Sequence, residues 1–235
     1  MINIVITAGG TSEKIDNVRK ITNSSSGKLG SMICDKLNAS LKDEHKIYYV
    51  CSKKSLKPND LSNVEIIEIE DTNDLVNVTK KLLTNHKIDY YIHSMAVSDY
   101  TVEYVTNEEK YKKFLETGNK TFISTKREKK ISSYEDNLII KLKKTPKVIE
   151  MVKTLSPNIY LVGFKLLDSV DKDELISIAY NLKIKNKCNL VLANDLYSIR
   201  NGNHIGYLIK EKDNYIKLDS KEKIASKLVE VMLND

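Results

Sequence analysis

Thr7-Ala8-Gly9-Gly10-Thr11 sets two glycines in a turn behind an apolar run, so backbone amides there can approach a phosphate without side-chain bulk in the way. The turn lacks the G-x-G-x-x-G spacing of a dinucleotide site and the Gly-Lys-Ser/Thr of a P-loop. An ordinary tight turn would use the same residues. Asn23-Ser24-Ser25-Ser26-Gly27-Lys28 is richer. Three hydroxyls, free amides at a helix entrance and a cation all suit an anion, whereas capping a helix needs one serine. Met95-Ala96-Val97-Ser98-Asp99-Tyr100 puts a carboxylate just past an apolar strand. There it could accept from a ribose, hold Mg2+ or merely cap the next turn. Lys126, Arg127, Lys129 and Lys130 cluster farther on; such a run is usually a solvated face, but one lysine could reach a triphosphate from it. His93 is a candidate base, although its place on an apolar strand suits a core histidine better.

The elements that must position these stretches follow from hydrophobic pattern. Asn3–Thr7, Lys46–Cys51, Val64–Ile69, Asp89–His93, Asn137–Leu142, Ile159–Phe164 and Leu190–Ala193 read as strands. Helical spacing runs through Leu29, Ile33 and Leu37, and again between Thr72 and Asn85. Pro146 opens a further helix, the favoured first-turn use of proline. Asp171–Lys185 and Ser220–Leu233 complete the helices, and His204–Lys210 with Tyr215–Leu218 form a hairpin around Asp213-Asn214. Tyr100 to about Lys130 is polar, Lys-rich and weakly periodic, and a stretch of that length is usually a lid, an interaction arm or disordered. Alternating strands and helices predict one α/β domain over residues 1–235. It is a doubly wound, Rossmann-like, mostly parallel sheet with a small antiparallel addition and an inserted arm at about 100–130. In such a sheet ligands bind beyond the carboxyl ends of the strands, so Thr7–Thr11, Ser94–Asp99, Phe164–Lys165 and Ala193–Asp195 should converge on one edge.

Composition narrows the class of protein. Of 235 residues, 41% are hydrophobic and 30% charged, enough for a core and a solvated surface. No apolar run nears the ~20 residues of a membrane span, and the first residues read as a strand without signal-peptide features, so a cytosolic protein is expected. Cys34, Cys51 and Cys188 are odd in number and unpaired in spacing, which fits reduced, packed thiols. The net charge of +6 suggests an anionic partner. No aromatic-basic motif points to nucleic acid, and phosphorylated small molecules satisfy the balance equally.

Taken in order, Ile6–Thr11 with Ile15–Arg19, Ile21–Gly30, Ser94–Tyr100, Lys130-Ile131-Ser132-Ser133, Lys143–Lys147, Val162–Leu166 and Ala193-Asn194-Asp195 resemble the phosphopantothenate–cysteine ligases across essentially the whole chain. Because the chain begins at the ligase strand, the resemblance is to the standalone form, and no flavin is expected. It implies an enzyme of coenzyme A synthesis that activates 4'-phosphopantothenate with CTP, or ATP, and Mg2+. The acyl nucleotidylate then passes to L-cysteine, in a homodimer. By motif, Asn23 matches the asparagine on the acyl nucleotidylate, and Ser24, Ser25, Ser26, Gly27 and Lys28 the substrate-phosphate segment. Lys130 matches the lysine on the nucleotide phosphates. Gly9, Gly10, Thr11, Ala96, Asp99, Pro146, Lys147, Val148, Ile149 and Phe164 fall around the nucleotide, and the arm becomes a flap over the site. One departure stands out. Where relatives carry two nucleotide-binding lysines, four apart, before Ala-Asn-Asp, this chain has Leu182 and Asn186, with Lys183 and Lys185 as neighbours.

A second reading on the same fold is an NADP-dependent reductase. Tyr49-x-x-x-Lys53 has the spacing of many reductases, and Lys53 and Lys54 could take a 2'-phosphate. The missing glycine fingerprint and the early, strand-borne tyrosine argue against it.

Overall fold

Ile4, Val5 and Ile6 are all fully buried. Successive strand residues face opposite ways, so this strand must be covered on both sides. The computed structural model describes residues 1–42, 44–123, 130–132, 134 and 137–235. In it that strand, β1 (Ile2–Ala8), lies inside an eight-stranded sheet. Its neighbours along one side are β4 (His45–Ser52) and β5 (Val64–Ile69). On the other side come β6 (Tyr90–His93), β9 (Tyr160–Leu167), β10 (Leu190–Asp195), β11 (Gly206–Glu211) and β12 (Asn214–Leu218). From β5 to β10 every pairing is parallel, and the β11–β12 hairpin adds two antiparallel strands at the edge. The chain first builds outward from β1 to β5 and then returns to β6 on the other side. The order therefore reverses between β1 and β6, and a crevice opens at their carboxyl ends.

Two layers of helix cover the sheet. Helices α1 (Lys28–Ser40) and α7 (Lys221–Asn234) pack Ile33, Leu37 and Leu228 on Ile4 and Ile6. On the other face α2 (Thr72–Asn85), α4 (Val148–Leu155) and α5 (Lys172–Asn186) pack Leu75, Val152 and Leu175 on Val5 and Tyr91. A short helix, α6 (Leu196–Arg200), follows β10. Among the described residues no helix is long and apolar enough to cross a membrane.

The expected arm has more structure than its composition suggested, and it is longer. Strand β7 (Tyr100–Asn107) is followed by α3 (Glu108–Thr117), and β7 pairs antiparallel with β8 (Leu138–Lys144). The strand foreseen at Asn137–Leu142 is thus the arm's return rather than part of the main sheet, and the arm spans 100–144. Val102, Tyr104 and Thr106 are buried at a spacing of two, a strand signature blurred by apolar Val105 on the other face and by polar Thr106 on this one. Pro146 stands just before the N-cap, Lys147, and not in the first turn of α4. A small hairpin that the sequence did not suggest, β2 (Ser12–Lys14) with β3 (Lys20–Thr22), projects after the glycine turn.

Backbone bonds extend the β1–β6 ladder beyond the strands themselves. Gly10 bridges Ala96; the Thr11 amide donates to the Ala96 carbonyl (3.1 Å), and the Ala96 amide to that of Gly9 (2.8 Å). The Asn23 amide then donates to the Thr11 carbonyl at 3.1 Å. Space at Gly10 is so limited that a Cβ would lie 1.8 Å from the Asn23 carbonyl oxygen. Gly10→Ala should therefore push Asn23 away and cost about 1–3 kcal/mol. Urea unfolding checks this, and a wild-type midpoint would contradict it.

Asp16, between β2 and β3, ties the arm to the hairpin. Its side chain is enclosed; Oδ1 accepts from the Val18 and Arg19 amides at 2.7 Å each. Oδ2 accepts the Ile131 amide at 3.1 Å, with the Arg19 guanidinium at 3.6 Å. The Ile131 amide does most to hold this carboxyl below the usual aspartate range. The resulting stability is present above the unfolded pKa of about 3.9 and is lost as pH falls through the lower folded value. Asp16→Asn should lower the urea midpoint at pH 7, and its deficit relative to wild type should shrink in acid. A constant deficit at all pH values would rule out the carboxylate as the cause.

Candidate active site

Helix starts divide into two kinds. Asp71, Asn107, Asp171, Asp195 and Ser220 cap α2, α3, α5, α6 and α7 with side-chain oxygens. Among the described helices only α1 and α4 have no side-chain cap. Both start at the rim of the crevice, from opposite faces of the sheet. At α1 the N-cap is Gly27, with φ of 72°, a left-handed conformation that suits glycine. The Ser25 and Ser26 hydroxyls accept only long, 3.4 Å bonds from the Gly27 and Lys28 amides. Ser24, Ser25, Ser26 and Lys28 are exposed. Two helix ends with free amide donors therefore flank the Gly9–Thr11 turn, and such ends attract anions.

The side of the rim formed by β6 and α4 is assembled through Ser98. Its amide donates to Thr11 Oγ1 at 2.9 Å, and its carbonyl accepts from Thr145 Oγ1 at 2.6 Å. The Thr145 amide donates to the Asp99 carbonyl at 3.0 Å. Lys147 then forms an ion pair with the exposed Asp99 carboxylate. Ala96, Asp99, Pro146 and Lys147 thus gather at one place, joined through Gly10 and Thr11 to Asn23.

Other candidates sit differently from expectation. The Thr11 and Val148 side chains are buried, and the Thr11 amide and carbonyl are already bonded to Ala96 and Asn23. Ile149 is half-buried against the core. Phe164 is inside β9, paired with Leu192, because the strand runs three residues farther than its apolar run implied. Lys183 pairs with Glu211 on β11 and Lys185 with Glu150 on α4, so the two lysines turn to different neighbours. Asn186 is buried, donates to the Leu182 carbonyl at 2.9 Å, and leaves its Oδ1 without a partner. Lys130 is exposed beside Ile131, which is anchored on Asp16. Lys126, Arg127, Lys129 and Ser133 lie outside the described residues.

On the other side of the turn, toward β4 and β5, an open cavity of about 590 Å³ is lined by Asn23, Ser24, Ser25, Ser52, Lys53 and Lys54 among others. Sequence reasoning had weighed Lys53 and Lys54 only for a reductase; their position directly after β4 was the available signal. Tyr49, the tyrosine of that alternative, is fully buried and donates to the Leu56 carbonyl at 2.9 Å. It is a core residue.

The strand histidine and the three thiols are enclosed. His93 bonds Thr7 Oγ1 at 3.0 Å, and burial pushes its pKa down to about 4, so it stays neutral near pH 7. All three cysteines are free and buried. Burial pushes the Cys34 and Cys188 thiols up to about 12 and also raises Cys51 despite the nearby Lys57. The site's means are therefore amides, hydroxyls, Asn23 and lysines, a set that neutralises phosphate charge rather than one that attacks.

Comparison with known proteins points the same way. A coenzyme A biosynthesis bifunctional protein CoaBC from Thermococcus kodakarensis is 32% identical over 193 residues, covering 82% of this chain and 41% of the relative. The chain spans about half the length of the curated relatives it matches. The crystal structure of the DNA/pantothenate metabolism flavoprotein from Streptococcus pneumoniae aligns with a TM-score of 0.86 at 38% identity, covering 100% of this chain and 99% of that one. A Cab2 variant in complex with phosphopantothenate-cysteine shares the fold, with a TM-score of 0.68 at 16% identity over 99% of this chain and 85% of that one. The model of the DNA/pantothenate metabolism flavoprotein C-terminal domain matches residues 1–126 and 120–234, and with nearly the whole sequence so accounted for, the chain belongs to that family.

Proposed function

We propose that this chain is a cytosolic ligase of coenzyme A synthesis that joins L-cysteine to 4'-phosphopantothenate at the expense of CTP or ATP. The observation that carries the reading is the pair of uncapped helix starts, α1 and α4, on either side of the Gly9–Thr11 turn with Asn23 between them. Two anionic substrates must meet in such a reaction, and each end has donors for one of them.

In the first step the substrate carboxylate attacks the α-phosphorus, a P–O bond forms, and pyrophosphate leaves. The cysteine amine then attacks the acyl carbon, an amide forms, and the nucleoside monophosphate departs as the amine loses its proton. Both steps build negative charge on oxygen that positioned donors can stabilise. On this reading Asn23 donates to the acyl nucleotidylate, and Lys130 pairs with the nucleotide phosphates. Gly9, Gly10, Ala96, Asp99 and the Pro146–Ile149 turn, with Phe164 nearby, receive the nucleotide. The Lys147–Asp99 pair, exposed on both sides, is weak enough to be exchanged for phosphate contacts. Lys183 or Lys185 would replace the helix lysines of relatives by exchanging its Glu211 or Glu150 partner for phosphate, the buried Asn186 takes no part, and the arm acts as a flap in a homodimer. Among the described residues no three acidic, histidine or cysteine side chains form a metal cage. Mg2+ enters the proposal only as the counter-ion of the triphosphate.

The decisive assay is pyrophosphate release with 4'-phosphopantothenate, L-cysteine and each triphosphate in turn; no release with any of them would refute the reading. Asn23→Ala should keep the fold yet reduce turnover about a hundredfold or let the activated intermediate accumulate, and full turnover would remove Asn23 from the mechanism. Lys130→Ala should slow the first step by about tenfold or more. Pyrophosphate bursts measured without cysteine report that step directly, and a wild-type burst would contradict the assignment.

A further inference from the structure

The serine segment and the end of β4 are fixed against each other. The Leu56 amide donates to the Ser26 carbonyl at 2.9 Å, and a Cβ on Gly27 would lie 2.0 Å from Ser55 Oγ. This close packing holds Lys53 and Lys54 beside Ser24 and Ser25, and all four line the 590 Å³ cavity.

The acids along the same wall are already engaged. Glu70 is paired with Lys14 and Lys20, Glu68 with Lys57 at 3.1 Å, and Asp74 belongs to the capping box of α2. Among the described residues neither Lys53 nor Lys54 has a carboxylate partner. Two positive charges without an ion-pair partner of their own and two exposed hydroxyls therefore face an open space, beside the uncapped start of α1. A phosphomonoester, with its two charges and several acceptor oxygens, matches that set.

We infer that Lys53 and Lys54 bind the phosphate of the acid substrate and set the preference for the phosphorylated over the unphosphorylated acid. The inference deepens the ligase reading and rests on it for the identity of the acid. Position separates this phosphate from the triphosphate. The cavity is bounded by Ser52 of β4 and by Glu68 and Ile69 of β5, whereas Lys147 and the start of α4 stand with Asp99 after β6. Asn23 lines the cavity and also bonds Thr11 at the junction of the two sides. An acid held by its phosphate at Lys53 and Lys54 would present its carboxylate near Asn23.

The test is the double variant Lys53→Ala/Lys54→Ala. Both side chains are exposed, so folding should be intact by circular dichroism. KM for 4'-phosphopantothenate should rise about ten- to a hundredfold, while KM for the triphosphate changes by about twofold or less. An unchanged KM for the acid, or an equal rise for both substrates, would overturn the inference. Calorimetric titration without triphosphate or cysteine gives a readout independent of turnover. The wild type should bind 4'-phosphopantothenate at least about tenfold more tightly than the double variant does, and pantothenate equally weakly in both. If lysine-dependent binding persists in a protein that releases no pyrophosphate, the ligase reading fails and the phosphate site stands. If binding ignores both lysines, the site fails whatever the activity.

Discussion

The Asn23 carbonyl oxygen rests where the side chain of any residue but glycine at position 10 would have to be. Loops beyond a parallel sheet usually have some freedom to shift relative to one another. Here the β1–β6 ladder continues through Gly10 and Ala96, and the Asn23 amide adds a third segment through Thr11. Ser98 and Thr145 bring in the turn before α4. Residues distant in sequence thus form one rigid rim, held mainly by backbone bonds that side-chain substitution does not remove.

That rim concentrates positive potential without needing many charges. An uncapped helix start carries roughly half a unit of positive charge, and this chain leaves two such ends together while capping its other described helices with side chains. The overall charge of +6 is a poor guide to this arrangement. Many lysines are paired at the surface, such as Lys112 with Glu108 and Lys46 with Glu65, and such pairs contribute little. What matters is where donors lack partners.

Much of this was legible in the sequence. Apolar runs marked β1, β4 and β5, helical spacing marked α2, and the rule that ligands bind beyond strand ends brought Thr7–Thr11 and Ser94–Asp99 together correctly. The failures share a cause. Strand β7 hides its alternation because Val105 is apolar on the less covered face and Thr106 polar on the buried one, and β8 is exposed along most of its length, so neither resembles a core strand. Phe164 was read as the last residue of its strand, at the rim, yet a half-buried Lys165 is tolerated in the sheet and the ladder continues to Leu167. The Ile131–Asp16 bond joins residues 115 positions apart, and no local pattern encodes it. Lys53 and Lys54 were visible as charges, but their lack of ion-pair partners among the described residues appears only once Glu68 and Glu70 are seen with other partners.

The enclosure of Cys34, Cys51 and Cys188 matters for a catalyst whose proposed substrate is itself a thiol. Exchange with disulfides requires an accessible thiolate, and these sulfurs are both hidden and hard to ionise. Free cysteine and its oxidised dimer would pass through the site without forming mixed disulfides with the protein. On the proposed reading, activity would survive swings in redox state that inactivate a protein bearing a reactive surface thiol.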